Sequence, residues 1–167
     1  SATCRSPESE RGWSMIVRLV AAAVFTAAVA VSPALAQDGR ITAVSRAPFP
    51  KVAEALEKAV TEHKMALVCH ANAQKGAAGR GVTIKGNQVL MVFRNDFAVR
   101  LLAAEPQAGF EAPIRIYVYE NADGTATVSY VPPSAVFAPY KHPEVKAVAA
   151  ELDPIFKAIV DTALAVR

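Results

Sequence analysis

His70 is the residue at which chemistry is easiest to place. It closes the apolar run Met65–His70 and precedes Ala71-Asn72 and a stretch rich in glycine. A neutral imidazole at a strand end can ligate a metal ion or a haem iron, or act as a general base near neutral pH. The alternative is a hydrogen-bonded structural histidine that ties the strand end to the loop after it. Asn72, Asn95 and Tyr130 also fall at the ends of predicted strands. With His70 they are the candidates to surround one small-molecule ligand, although turns and caps use the same residue types.

Other chemical groupings are weaker. Cys69 is adjacent to His70, but successive strand residues point to opposite faces. A regular strand through residue 70 puts His70 with Ala66 and Val68 and turns Cys69 away, so the two do not form a dyad or share one ion. Cys69 is the only thiol after residue 36, and its apolar surroundings read as those of a buried structural cysteine. His63 is expected in the last turn of a helix, and His142 in a loop before Pro143. Neither has the spacing of a zinc or di-iron site. Gly76, Gly79 and Gly81 with Lys75, Arg80 and Lys85 match no phosphate-binding fingerprint and read as a flexible loop. No serine lies in a Gly-x-Ser-x-Gly elbow. Without a legible set of nucleophile, base and orienting group, a binding protein is favoured over an enzyme.

The elements that must position these residues follow from hydrophobic spacing. Ile41–Ser45 is β-like. Pro50 suits the first turn of a helix of roughly 14 residues, whose apolar stripe is Val52, Leu56, Ala59, Val60 and His63. Met65–His70 is a strand, and Gln88–Phe93 is a strand predicted to be buried on both faces. Asp96–Ala104 is helical and ends before Pro106. Ile114–Glu120 and Thr125–Val131 flank Asn121-Ala122-Asp123-Gly124, a hairpin signal. Pro143–Val166 carries apolar residues at helical spacing and is expected to break at Asp153-Pro154 into two helices. The order predicts an α+β two-layer sandwich: one mainly antiparallel sheet, helices on one face, and a C-terminal helical extension. Ile116 and Tyr117 lie on opposite faces and are both large, so the second face needs a cover. A homodimer through the sheet supplies one.

Location is the clearest message of the chain. Arg18, the apolar stretch to Val31, Pro33 and Ala34-Leu35-Ala36 form the three-part pattern of a secretory signal over 15–36, with cleavage after Ala36. Leu19–Val31 is 13 residues, against the about 20 that span a bilayer. No stable membrane anchor is therefore expected after cleavage. No twin arginine precedes the run, which favours the general secretory route to a periplasmic or secreted location. Residues 1–14 read as an upstream leader or remnant. Gln37–Arg167 is then a single domain of 131 residues, with 15 Lys and Arg against 13 Asp and Glu. Such a mild, interspersed charge does not fit nucleic-acid binding.

Several ordered features also belong together. His70-Ala71 follows the second strand, and the most apolar strand ends in Phe93-Arg94-Asn95. Pro106 and Gly109 precede Ala112-Pro113-Ile114-Arg115, Asp123-Gly124 makes the hairpin, and Val128-Ser129-Tyr130 follows. In these features Leu67–Tyr140 resembles the bacterial family known as domain of unknown function 302. The resemblance implies a small fold with one antiparallel-type sheet, a dimeric assembly, and His70 at the position of the family's histidine. It implies no established reaction. Where the family tends to show Phe-Gly-Asn-Pro, this chain has Phe93-Arg94-Asn95-Asp96, and the helical segment beyond Tyr140 looks like an addition of this member or its subgroup. The combined expectation is an exported homodimeric module that binds a small ligand, a haem or a metal ion through His70. The alternatives are an interaction module without a ligand site and, less favoured, a His70-based enzyme.

Overall fold

Side-chain alternation sorts the central strands into a filled face and an open one. The computed structural model describes residues 39–167; the segment expected to be a secretory signal and the residues before it lie outside the described residues. Five strands, β1 (Ile41–Pro48), β2 (Ala66–Asn72), β3 (Asn87–Phe93), β4 (Ile114–Glu120) and β5 (Thr125–Tyr130), form one sheet. Its order is β1-β5-β4-β3-β2, and every pairing is antiparallel. In β3, Gln88, Leu90 and Val92 are buried while Val89, Met91 and Phe93 are only half-buried. The expected burial of this strand on both faces is therefore corrected: helices cover one face, and the other faces outward.

The described residues form five helices, α1 (Phe49–Glu62), α2 (Ala73–Ala78), α3 (Asn95–Ala104), α4 (Pro133–Val136) and α5 (Pro143–Leu164), with a 3-10 turn at Pro106–Glu111. The covering layer draws on α1, α3 and α5. Pro50 opens α1, whose Val52, Leu56, Ala59 and Val60 are fully buried. α5 packs against α1 and buries Val145, Val148, Phe156 and Ile159. This is the α+β two-layer arrangement that the hydrophobic spacing predicts.

The C-terminal helix supplies the largest fully buried side chain, Phe156, and is a wall of the core. It also runs unbroken through Pro154. Proline removes the donor for the carbonyl of Ala150, but Ala150 and Pro154 are both exposed, where water can serve that oxygen. Buried residues on both sides of the proline hold the two halves to the sheet. Asp153 does not restart the helix; its carboxylate accepts from the Ser134 backbone N–H at 2.9 Å and caps α4 instead.

Both sheet edges are irregular. The register shifts between Ser45 and Pro48 in β1 and between Leu67 and Cys69 in β2. Bulges at both edges, with Pro48 on one of them, oppose strand addition from another chain. No helix among the described residues is long and apolar enough to cross a membrane.

Candidate functional site

His70 lies on β2, the edge strand, opposite Leu90 of β3. Leu90 is fully buried, so His70 faces the helical layer. The bulge at Val68 alters the expected sharing of faces: Leu67 pairs with Val92 and joins His70 on the covered side, in place of Val68. Cys69 pairs with Met91 on the other side, so the separation from His70 inferred from strand alternation holds. The thiol is exposed rather than buried, because β2 has no neighbour on its outer side and its second face is open.

The imidazole is engaged at both nitrogens. Nε2 lies 2.9 Å from Gln88 Oε1, and Nδ1 lies 3.6 Å from Glu57 Oε1 on α1. Gln88 is only 7% exposed, so its amide oxygen takes its hydrogen bond from this ring. A metal or haem iron at Nε2 would displace that amide. Among the described residues no group of three or more His, Cys, Asp and Glu is placed to hold a metal ion.

The other expected site residues are dispersed. Asn72 shares the His70 face of β2, opposite Gln88, and its Oδ1 caps α2 by accepting from the Lys75 N–H at 2.8 Å. Asn95 is exposed at the start of α3, beyond the far end of β3. Tyr130 is on β5, with β4 and β3 between it and β2, so three strand spacings, about 14 Å, separate it from the histidine. Its ring stacks on Phe156, with centroids 6.3 Å apart. Burial, then the charge of Asp161, pushes its hydroxyl above the usual phenol range. The structure brings His70 and Asn72 together and leaves Asn95 and Tyr130 elsewhere. His63 and His142 serve helix ends: His63 Nε2 meets Thr162 Oγ1 at 3.0 Å, and His142 Nδ1 accepts from the Glu144 N–H at 3.2 Å. The expected glycine-rich loop is in part the short helix α2, and Lys85 turns away to donate to the carbonyls of Asn121 and Ala122.

A second constellation occupies the open sheet face. A hollow of about 340 Å³ is lined by Arg40, Val89, Arg115, Tyr117, Ser129 and Val131, among others. Arg115 lies on β4, directly opposite Met91 of β3. Its guanidinium has no ion pair or side-chain hydrogen bond among the described residues. The Tyr117 ring is held in place: its hydroxyl accepts from Asn87 Nδ2 at 2.6 Å, and its face lies 5.4 Å from Tyr119. Ser129 Oγ is bonded to Thr42 Oγ1 at 3.0 Å. Arg115 is not among the site candidates expected from the sequence, although Ile114-Arg115-Ile116 carries the signal: a charged residue alternating with apolar ones marks a face that the helices leave uncovered.

Comparison with known proteins places this geometry in a family. The family model described as domain of unknown function DUF302 matches residues 41–163. The chain belongs to that family. The DUF302 match begins in β1 and ends within α5, wider on both sides than Leu67–Tyr140. The terminal helix is thus part of the family's domain and not an addition peculiar to this chain. A crystal structure of an uncharacterized conserved DUF302 protein from Bacillus stearothermophilus is similar, with a TM-score of 0.65 and 18% identity, over 75% of this chain and 98% of that one. At that identity the likeness speaks for the fold alone. No curated protein matches the chain.

Proposed function

We propose that this DUF302 domain is an exported small-molecule-binding module whose working surface is the open face of its sheet. The observation that carries the reading is the hollow of about 340 Å³ among Val89, Arg115, Tyr117 and Ser129. Its size falls within the range of ligand sites, and its lining joins apolar walls with a few fixed polar groups. The lining holds no histidine to activate Ser129, whose hydroxyl is already paired, so binding is favoured over catalysis. Export is supported by the apolar run to Val31 and the Ala34-Leu35-Ala36 site. His70, with both ring nitrogens facing protein acceptors, serves in this reading to join β2, β3 and α1.

A second reading, a homodimer formed across the same face, is favoured by the bulges at both sheet edges. They leave the face rather than the edge as the surface on which two copies can meet.

The test is amide shift mapping of the purified, isotope-labelled protein against a fragment mixture of neutral, cationic and anionic compounds. Shifts clustered on Val89, Arg115, Tyr117 and Ser129 are expected. Shifts clustered on His70, Gln88 and Glu57, or on no common surface, would overturn the reading in favour of the histidine edge or of no ligand site. Light scattering at micromolar concentration tests the dimer, and a monomeric mass refutes it.

A further inference from the structure

The geometry points to a compact organic anion as the ligand of the open face, with its charged group on Arg115 and a planar apolar body against Tyr117 and Val89. This inference rests on the proposed binding role of that face. Four observations carry it. Arg115 projects from a central strand onto the open face and is exposed, with no acidic partner among the described residues. Glu111 lines an adjoining hollow that shares Arg115, but it makes no ion pair with it and instead accepts from the Tyr140 hydroxyl at 3.3 Å. A second basic residue, Arg40, lines the same hollow, and among the described residues no carboxylate does. Finally, the Tyr117 ring is fixed by Asn87, so the aromatic wall is in place before a ligand arrives.

The chemical class follows from these groups. A guanidinium offers paired N–H donors in a plane that matches a carboxylate or phosphate. The Arg115 guanidinium, without an acidic partner among the described residues, disfavours a cationic or neutral occupant. Val89, Val131 and the tyrosine ring favour an apolar body over a bare inorganic ion. The volume, about 340 Å³, is near the lower end for ligand sites and favours one or two rings over an extended chain.

The experiment is calorimetric titration of the protein with 2-naphthoate, its neutral amide and inorganic phosphate, with amide shift mapping of each. The naphthoate is expected to bind saturably with shifts at Arg115, Tyr117 and Val89, and the amide and phosphate at least about tenfold more weakly. Arg115→Gln should weaken naphthoate binding by about tenfold or more, as expected when a charge-assisted hydrogen-bonding partner is lost. Arg115→Lys, which keeps the charge and loses the fork, should fall between. If the naphthoate and its amide bind the open face equally, or Arg115→Gln and Arg115→Lys bind like the wild type, the anion assignment is overturned while the binding face stands. If none of the three compounds shifts open-face amides and the fragment mixture does not either, both fall.

Discussion

Arg94 and Asp96, the two positions at which this chain departs from the Phe-Gly-Asn-Pro pattern, are bonded to each other: Arg94 Nε donates to Asp96 Oδ1 at 2.7 Å. The Arg94 guanidinium also lies 4.0 Å above the Phe97 ring. The two residues therefore form a bonded pair at the entry to α3. Asp96 adds a negative charge to the first turn of that helix, where the dipole favours it.

The pair is exposed, so its coupling should be small, about 0.2–1 kcal/mol in a double-mutant cycle of Arg94→Ala and Asp96→Asn. Its sign with pH is fixed. The hydrogen bond from Arg94 holds the Asp96 carboxyl below its ordinary value. The stability it adds is present above the ordinary carboxylate range and is lost as pH falls through the lowered value. The gap between wild type and Asp96→Asn in urea denaturation should therefore close below about pH 4. A gap that widens on acidification would refute the assignment.

His70 should matter to stability through Gln88. His70→Ala leaves a buried amide without its partner and should cost about 1–2 kcal/mol. His70→Ala with Gln88→Ala should cost less than the two single changes added together, because neither orphan remains. Chemical denaturation of the four proteins measures this, and strict additivity would refute it. Ligand binding on the open sheet face should be unchanged in His70→Ala.

Among the described glycines Gly86 is the one least tolerant of a methyl group. A Cβ there would fall inside the ring of Phe49, which is 3% exposed. Gly86→Ala should destabilise by about 2–3 kcal/mol through overpacking. Phe49→Leu in the same chain should recover part of the loss. Thermal unfolding checks both, and a Gly86→Ala protein as stable as wild type would show that the ring can move aside.

Asp153 and Pro154 should act in opposite directions. Asp153→Ala removes the cap on α4 and should cost about 1 kcal/mol. Pro154→Ala restores a donor to an exposed turn and should raise stability by about 2 kcal/mol after allowance for the freer unfolded chain. Equal and opposite shifts in unfolding midpoint are not required, but a loss from Pro154→Ala would show that the proline is needed for the helix path.

Much of this architecture is legible in the sequence because local periodicity and local turn chemistry agree. The spacing of Val52, Leu56 and Val60 gives α1, and Asp123-Gly124 gives the hairpin, with Gly124 at φ +83° and Thr125 bonded to the Asp123 carboxylate. What escaped depends on the neighbour a segment receives. Met65–His70 has the composition of an interior strand, yet the sheet order leaves it at an edge, which exposes Cys69 and Val68. Pro154 breaks a helix by local rules, and packing on both sides overrides them. The histidine was legible as a residue of interest, but its partners were not: Glu57 and Gln88 lie 13 and 18 positions away in the chain. Asn95 and Tyr130 share with it only the property of ending a strand, which does not fix distance.

The packing of α1 against α5 joins the beginning of the domain to its end. A chain emerging from the ribosome cannot close this core until its last helix has left the exit tunnel. Until then α1 lacks the helix that closes its other side.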